Sequence, residues 1–487
     1  MKTINVPTVI HVHSNYSGGK YSVENIAAIA KNNNVKAVIL TDKIGREWEY
    51  GIRPFDQIIK LQIKDKSIEP AKLGNYLKEI RSVNDSNEDV TIIPGLEIAP
   101  HYSWEGSFLD ENIKIKDWDK ELLVLGLKND KQWTDIPYIS NPFSKNYVYQ
   151  SITSITLLLL ILALSIYLFL KRKNMKIMLG KYSNSAIYCS VFPYRKLSVI
   201  LFFISLLCIC SCLPIKSNEF SKYKSYKTEP YQKVIDYAGE KSGVAIWSHP
   251  ETHYDKTYNY GDGLFNVAGI INPVKRKMKV HAVGKPYSEM LSLTNGFTAF
   301  SALYEGYDKI ARPGGIWDRD LLDYVNGKRK DIYWAVGEAD YYGNESNKNF
   351  SDVQTVFIAK SNNENDIVDA LKKGSMYVLM AQGNKGLIVD DFYIHDDALK
   401  AFSGQILNSN GDISLVTSIC SYPEPEVNIK LKIIKNGKVI KIIDDVTPVN
   451  LSVDFKSKDI NDSYFRIEID SNSGIKIISN PIFVFSI

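Results

Sequence analysis

Cysteine is scarce in this sequence, with five residues in a chain of 487. Four of them, Cys189, Cys208, Cys210 and Cys212, lie in or beside one apolar region, and Cys420 stands alone. Thiols so few and so placed indicate neither a disulfide framework nor a thiolate zinc cluster. Any metal ion must therefore be held by histidines and carboxylates.

A large excess of charge of one sign is also absent. The 59 Lys and Arg against 55 Asp and Glu leave a formal net charge of +4, and the basic residues are scattered along the chain. Because nucleic-acid-binding proteins gather basic residues on one face, charge does not suggest a nucleic-acid partner. Residues 1–7 contain no apolar run, so the sequence predicts no cleavable signal peptide.

Long apolar runs are present in the middle of the chain. Residues 152–170 and 197–215 carry no charge, and about 20 such residues suffice to cross a bilayer. A buried core helix is the alternative for either run. Residues 171–196 between them hold seven Lys and Arg and no acid, which by the positive-inside rule favours a cytoplasmic loop. The sequence therefore predicts a cell-membrane protein with two transmembrane helices in contact with the lipid bilayer. Its soluble parts are expected outside the cytoplasm, although the missing signal peptide argues for the opposite orientation.

On either side of these runs, strand and helix patterns alternate. A short strand at 6–10 precedes a helical pattern that starts after Ser22, a candidate N-cap, and a buried strand follows at 35–42. The same rhythm resumes with a helix at 233–243 and a strand from 244. Such alternation predicts a parallel α/β sheet or barrel. Beyond about residue 385, apolar and polar residues alternate around turns, which predicts an all-β sandwich.

Histidines and carboxylates follow several of the predicted strands. His11 and His13 come after the first strand, two residues apart, a pattern that two solvent-facing histidines would also give. Four further strands end on such residues: Thr41-Asp42, Gly95-Leu96-Glu97, Ser248-His249-Pro250 and Gly337-Glu338-Ala339-Asp340. Barrel enzymes assemble their sites at the carboxyl ends of strands. The sequence therefore predicts a metal or catalytic site there.

The motifs HVHS, LTD, PGLE, SHPE and GEAD, in this order, resemble those of the PHP (polymerase and histidinol phosphatase) family. The segment ALKKGSMYV at 370–378 is similar to the helix and strand that follow the last motif in that family. The resemblance covers about 1–127 and 230–380, and implies an α/β fold. That fold is a distorted (β/α)7 barrel, here interrupted by the transmembrane hairpin and followed by the β-sandwich. The predicted boundaries are 1–150 and 216–385 for the barrel, 151–215 for the hairpin and 386–487 for the sandwich.

The resemblance also implies metal ligands and hydrolysis of phosphate esters. One ion would be held by His11, His13, Glu97 and Asp340. Glu97 would bridge to a second ion held also by His249 and by Glu121, where the family usually has His. Two divalent ions, Zn, Mn or Fe, would activate water for attack on a small phosphate ester.

A third family site departs from the pattern because Lys43 and Tyr342 stand where histidines are usual. An ammonium repels a cation, so this site is expected to be empty. The sequence then predicts that Lys43 holds a phosphate oxygen and acts in catalysis with His249 and Asp340. His101, Arg312 and Tyr342 are further candidates for substrate contact, with packing or solvated-loop roles as alternatives.

Three classes of function remain open at this level. The first is a metal-dependent phosphoesterase. The second is a catalytically silent PHP domain that acts as a membrane-anchored binding or surface module, which the departures at Lys43, Glu121 and Tyr342 motivate. The third is a scaffold that uses the C-terminal sandwich.

Overall fold

The computed structural model describes residues 3–51, 59–106, 113–139, 148–178, 186–211, 220–260, 266–267, 278–343, 348–457 and 461–486. Its strands up to the middle of the chain are β1 (Ile4–Val12), β2 (Ala37–Lys43), β3 (Glu47–Gly51), β4 (Ile59–Lys64), β5 (Thr91–Ile98), β6 (Ser103–Glu105), β7 (Lys114–Lys116), β8 (Leu122–Leu125), β9 (Lys173–Met178), β10 (Ala186–Val191), β11 (Val244–Trp247), β12 (Tyr254–Tyr260), β13 (Asn266–Val267) and β14 (Met278–Gly284). The later strands are β15 (Ala299–Leu303), β16 (Trp334–Gly337), β17 (Val353–Ala359), β18 (Met376–Met380), β19 (Gly386–His395), β20 (Lys400–Phe402), β21 (Ile406–Asn408), β22 (Ile413–Tyr422), β23 (Asn428–Lys435), β24 (Lys438–Val446), β25 (Val449–Phe455), β26 (Ser463–Ser471), β27 (Lys476–Ser479) and β28 (Ile482–Phe485).

The helices are α1 (Val23–Asn32), α2 (Leu73–Asp85), α3 (Asp130–Thr134), α4 (Val148–Leu170), α5 (Arg195–Ser211), α6 (Glu229–Glu240), α7 (Met290–Leu293), α8 (Ile316–Val325) and α9 (Glu364–Lys373). A 3-10 turn covers Pro70–Lys72, and a π-helical turn covers Tyr307–Ala311. The predicted start of α1 is confirmed, because the Ser22 side chain accepts a hydrogen bond from the Asn25 N–H.

One large mixed sheet forms the centre of the molecule. Its strand order is β16-β15-β11-β8-β5-β2-β1-β17-β18, and it continues through β27-β26-β23-β24. β1, β2 and β5 run parallel, as do β11, β15 and β16. β8 runs antiparallel between β5 and β11, and β17 is antiparallel to β1. β2 is buried almost throughout, as expected for a strand covered on both faces.

The sheet curls so that the end of β16 meets β1 and β17. The Thr355 hydroxyl accepts a hydrogen bond from the Gly337 N–H at 2.9 Å and lies 3.0 Å from the Gly337 carbonyl. A Cβ on Gly337 would lie 2.8 Å from the Gln354 carbonyl oxygen, so only glycine permits this approach. Just beyond, the Tyr341 N–H donates to the His11 carbonyl at 3.0 Å. The ends of β1 and β16 are therefore fixed beside each other.

The C-terminal strands pack as two sheets around a second apolar core. One sheet continues from the central sheet through β27, β26, β23 and β24, and the other has the order β20-β19-β22-β25. Their shared core includes Leu387, Ile394, Leu415 and Ile467, together with Tyr377 from β18. The hairpin between β23 and β24 turns at Asn436-Gly437, both with positive φ. The predicted domain boundaries at 150, 215 and 385 stay a prediction.

The predicted transmembrane hairpin is wrong. Across the part of the chain that the structure describes, no helix has both the length and the apolar character needed to cross a membrane. α5 has 17 residues, and at about 1.5 Å per residue it is shorter than the hydrocarbon layer of about 30 Å. The predicted basic cytoplasmic loop instead contains an antiparallel pair, β9 and β10. The predicted cell-membrane location, with its bilayer partner, is overturned for the same reason.

The predicted fold class is corrected accordingly. In place of a seven-fold α/β barrel interrupted by a membrane hairpin, the structure is a mixed α/β protein with a large sheet. Periodicity predicted strands but could not reveal their directions, because direction depends on tertiary pairing. β8 is antiparallel to β5, β17 to β1, and β18 to β17.

Candidate metal centre

The strand ends bring six of the predicted site residues to one edge of the central sheet. His11 lies at the end of β1 and His13 directly after it, Glu97 near the end of β5, His249 just after β11 and Asp340 just after β16. Glu121 precedes β8, and because β8 runs antiparallel to β5 and β11, its beginning lies at the edge where they end. Strand direction thus explains why Glu121, which precedes its strand in the chain, shares a site with residues that follow theirs.

The first group of metal-competent donors consists of His11, His13 and Asp340. The Nε2 atoms of His11 and His13 lie 3.5 and 3.4 Å from Asp340 Oδ1. Glu97 adjoins this group, with its Oε1 3.7 Å from His11 Nε2 and its Oε2 3.6 Å from His13 Nε2. Two imidazoles and two carboxylates therefore converge on one small volume.

The second group consists of Glu97, Glu121 and His249. His249 Nε2 lies 2.8 Å from Glu121 Oε2 and 3.9 Å from Glu97 Oε1. A buried arginine, Arg46, also belongs here. Its Nη2 lies 3.4 Å from Glu97 Oε1 and makes an ion pair with Glu121 Oε1. The two groups share Glu97 but differ in that a guanidinium already contacts the second.

Three buried donor atoms of the first group and the adjoining Glu97 have no hydrogen-bond partner among the described residues: His11 Nε2, His13 Nε2 and Glu97 Oε2. Buried polar atoms are nearly always hydrogen-bonded, because desolvating one without a partner costs about 1–3 kcal/mol. Imidazole nitrogens and carboxylate oxygens are ligands for Zn, Mn and Fe. The donor set therefore fits a divalent metal ion.

The imidazoles are held by a surrounding layer of hydrogen bonds. His11 Nδ1 lies 3.3 Å from Glu338 Oε2 and 3.1 Å from Ser248 Oγ, so Nε2 is the nitrogen left for a ligand. Glu338 also accepts from the Ser248 hydroxyl and the His249 N–H. Such partners fix the tautomer and direction of metal-ligating histidines.

His13 is oriented by a similar relay. Its Nδ1 lies 3.1 Å from Ser17 Oγ, and Ser17 donates to Asp42. Asp42 also accepts from the Ser14 N–H at 2.9 Å and the Ser14 hydroxyl at 2.7 Å. Asp42 therefore orients His13 through Ser17 and is not itself a member of the first donor group.

Backbone strain is concentrated at the same residues. His11, His249 and Asp340 have φ angles of 67°, 24° and 44°, in a region that residues other than glycine rarely adopt. The register of β1 against β2 shifts between Ile10 and Val12, so His11 lies in a bulge that re-aims its side chain. Each such residue costs about 1–3 kcal/mol, and strain of this kind clusters at functional sites.

The electrostatics differ between the histidines: burial lowers the pKa of His13, whereas neighbouring carboxylates raise those of His11 and His249. Burial opposes charge on every member, but the Asp340 and Glu338 carboxylates raise the pKa of His11 to about 9. Burial likewise opposes charge on His249, but the neighbouring Glu97, Glu338 and Asp340 carboxylates raise its pKa to about 9. Despite burial, the nearby Lys43 and Arg46 charges hold the pKa of Glu97 well below its usual range. The carboxylates therefore stay ionised and attract cations.

Lys43 and Tyr342 lie beside this group. The Tyr342 ring stacks on the His13 ring with centroids 4.1 Å apart, and the Lys43 ammonium lies 5.1 Å from the Tyr342 ring centroid. Lys43 also lies 3.8 Å from an Asp65 oxygen. Burial raises the pKa of the Tyr342 hydroxyl far above its usual value, so this phenol stays neutral.

His101 and Arg312 are not among these residues. His101 Nε2 lies 3.0 Å from the Lys224 carbonyl oxygen, and its ring contacts Tyr226 and Phe220. Arg312 is exposed and directly follows Ala311, whose carbonyl accepts a hydrogen bond from Arg466. The structure thus places His101 in a packing position and Arg312 near the C-terminal sheets.

Sequence reasoning did not single out Arg46, Glu338 or Ser17. Arg46 had one available signal: Ile44, Arg46 and Trp48 alternate along the chain, and all three are buried. A charged residue on the apolar side of such an alternation needs a buried partner. Glu338 and Ser17 lie within or near the motifs, but only tertiary structure brings Glu338 to His11 and Ser17 to Asp42.

Comparisons with known proteins give distant similarities to solved structures. Neither a protein-family model nor a curated protein matches the chain. Among solved structures, a two-domain protein from Bacteroides vulgatus that contains a predicted PHP-like metal-dependent phosphoesterase is 9% identical, with 99% of this chain and 95% of that chain covered and a TM-score of 0.34. A candidate metal-dependent phosphoesterase from Bifidobacterium adolescentis is 10% identical over 70% of this chain and 90% of its own, with a TM-score of 0.27.

An amidohydrolase from Chromobacterium violaceum, solved with bound sulfate and no metal, is 11% identical over 70% of this chain and 89% of that chain, with a TM-score of 0.27. At such TM-scores the similarities carry no argument about function. The functional argument therefore rests on the geometry of the two donor groups.

Proposed function

We propose that this protein is a metal-dependent hydrolase of the PHP type that cleaves a small phosphate ester. The observation that carries the proposal is the set of buried, unpartnered donor atoms on His11, His13 and Glu97, which converge with Asp340. These four residues would hold a divalent ion. Such an ion supplies Lewis-acid stabilisation of negative charge and activation of water.

The chain's own residues indicate where a substrate would approach. The side chains of His11, His13 and Glu97 are at most 1% exposed, whereas those of Asp340 and Lys43 are 23% and 18% exposed. The opening to solvent therefore lies on the Asp340 and Lys43 side. There the Lys43 ammonium would hold an anionic phosphate oxygen while Tyr342 keeps the His13 ring in place.

The other groups would position the site rather than contact substrate. Glu338 and Ser248 hold His11, and Ser17 with Asp42 holds His13, so neither imidazole has to reorganise when charge develops. In this proposal His249 and Glu121 line the second side of Glu97. The burial of His11, His13 and Glu97 strengthens the charge interactions among them.

Metal content and turnover together test the proposal. Purified protein is stripped with chelator, reloaded with Mn or Zn, desalted and assayed both by elemental analysis and with p-nitrophenyl phosphate. We expect bound metal and chelator-sensitive phosphate release. His13→Gln should abolish both, whereas His395→Gln, in the C-terminal sheets, should leave both unchanged.

Each other outcome has a defined meaning. No bound metal in the unmodified protein after Mn and Zn loading would refute the proposal. Bound metal without turnover of p-nitrophenyl phosphate or of a panel of phosphate monoesters and diesters would favour a binding module instead.

A further inference from the structure

Arg46 is an unusual component of a metal-binding region. Its side chain is 2% exposed, and its Nη1 donates to the Trp118 carbonyl at 2.7 Å. Its Nη2 lies 3.4 Å from Glu97 Oε1 and contacts Glu121 Oε1. The guanidinium is therefore fixed against both carboxylates of the second donor group.

This position conflicts with a second metal ion. A second ion would have to coordinate Glu97, Glu121 and His249, the donors within reach of one another. Ligand distances to such ions are about 2.0–2.2 Å, so the ion would lie next to the guanidinium. Two cations that close, inside a buried and weakly screened region, repel strongly. Arginine cannot relieve this by losing its proton.

The first donor group shows the opposite arrangement. Arg46 contacts Oε1 of Glu97, and Glu97 Oε2 is buried and has no hydrogen-bond partner in the part of the chain that the structure describes. That atom faces His13 Nε2 at 3.6 Å. The guanidinium thus balances the charge of Glu97 and leaves its other oxygen available to an ion held by His11, His13 and Asp340.

We propose that Arg46 takes the place of a second metal ion, so that the protein binds one divalent ion per chain and carries a fixed positive charge at the second position. This inference rests on the proposed function, because it assumes that the first group holds an ion. It replaces the two ions expected from sequence with one ion and one guanidinium. Arg46 is in this view a positioning residue that acts through Glu97 and Glu121, since it is closed off from solvent.

The test is metal stoichiometry in the full chain. After stripping and reloading with Mn, the unmodified protein should contain one ion per chain and give the EPR spectrum of isolated Mn(II). Arg46→Met removes the charge but keeps an extended side chain, so Glu97, Glu121 and His249 should then accept a second ion. The expected stoichiometry is two ions per chain, with a spin-coupled Mn pair in the EPR spectrum.

Matched variants separate this role from an ordinary buried ion pair. Arg46→Lys keeps a cation and should still give one ion. Arg46→Met combined with Glu121→Gln should return from two ions to one. If Arg46→Met does not fold, Arg46→Gln provides the same neutral test with hydrogen-bonding capacity retained.

The outcomes are distinguishable. Two ions in the unmodified protein, or one ion in every folded neutral variant at position 46, would overturn the role of Arg46 and leave the hydrolase proposal standing. No ion in any variant would instead refute the proposed function itself.

Discussion

Two regions of this molecule bury charged side chains, and they treat the charged atoms differently. In the candidate metal centre, His11, His13 and Glu97 each keep a buried donor atom without a hydrogen-bond partner among the described residues. In the joint between α8 and β26, Arg466 lies fully buried against Asp318 and Glu468. Both regions combine acids and bases away from water.

Around Arg466, the charged groups form hydrogen bonds with other protein groups. Arg466 Nε and Nη2 each donate to one oxygen of Asp318 at 2.8 Å, and Nη1 donates to Glu468 at 2.8 Å. The Tyr464 hydroxyl donates to Asp318 at 2.9 Å, and the Tyr307 hydroxyl donates to Glu468 at 3.1 Å. A fully satisfied network of this kind holds two parts of a fold together.

The difference teaches that buried charge by itself does not mark a functional site. What distinguishes the candidate metal centre is that the donor atoms around His11 and His13 face carboxylate oxygens at 3.4–3.7 Å, longer than an ordinary hydrogen bond and close enough to share an ion. Its backbone is strained at the same residues, which a purely structural cluster has no reason to be.

The largest effect is expected on the free energy of unfolding when the ion pairs around Arg466 are removed. Arg466→Met leaves Asp318 and Glu468 buried without their cation, so we expect a loss of about 3–5 kcal/mol in the free energy of unfolding. Urea denaturation measures this. Lys430→Met, which removes an exposed partner of Asp444, should change stability by less than about 0.5 kcal/mol. Metal content should not change in folded Arg466→Met. A loss of metal with stability intact would contradict the comparison.

The next effect tests whether the residues that hydrogen-bond the candidate metal ligands control metal affinity. Glu338→Gln weakens the hold on His11, Ser248 and the His249 N–H, so metal affinity should fall by about 10–100-fold. Competition with a metal-binding dye measures the affinity. Glu240→Gln, on an exposed helix end, is the matched control and should bind metal as the unmodified protein does. An unchanged affinity in Glu338→Gln would show that His11 needs no orienting partner.

A smaller effect is expected from the relay to His13. Ser17→Ala removes the hydroxyl that links His13 Nδ1 to Asp42. The lost hydrogen bond to His13 is worth about 1 kcal/mol, so metal affinity should fall by about five-fold. The same dye competition applies, with the exposed Ser82→Ala as control. A drop as large as that of Glu338→Gln would mean that the relay also sets the position of the strand end.

The smallest effect is expected at Asp470, a partly exposed carboxylate that forms ion pairs with Lys432 and Lys476. Burial raises the pKa of Asp470, but hydrogen bonds from Lys432 and Lys476 outweigh it and lower the pKa below its usual range. A lowered folded-state pKa contributes stability above the unfolded value of about 3.9, and that stability is lost as pH falls through the folded value. Asp470→Asn should therefore cost about 0.2–1 kcal/mol at pH 7, reduced by solvent screening.

The measurement for Asp470 is the difference in unfolding free energy between the two proteins from pH 7 down to pH 3. The difference should shrink once the pH drops below about 4. A difference that stays constant over this range would assign the effect to packing rather than charge.

Much of the candidate site could be predicted from sequence because its residues occur in recognisable local patterns. A buried strand followed by a histidine or carboxylate is visible in the chain, and the carboxyl ends of parallel strands lie at one edge. His11, Glu97, His249 and Asp340 are recognisable in this way, and the structure brings them together. Their roles as ligands remain a proposal.

The prediction of the membrane hairpin shows the limit of the same reasoning. Runs 152–170 and 197–215 satisfy a rule about composition, but the rule contains no information about helix ends. The structure gives α5 the range Arg195–Ser211, and no helix among the described residues is both long and apolar enough to cross a membrane. Helix limits depend on capping and packing, which single-sequence patterns define poorly.

By itself the sequence determined which residues are candidates for metal binding and which strands present them, because side-chain type and strand periodicity are local properties. Only the tertiary structure decided that β8 runs antiparallel and so delivers Glu121 to the same edge. It also decided that Arg46 enters between Glu97 and Glu121. Both depend on contacts between residues tens of positions apart, and the energy of a buried charge is set by those neighbours rather than by its own place in the chain.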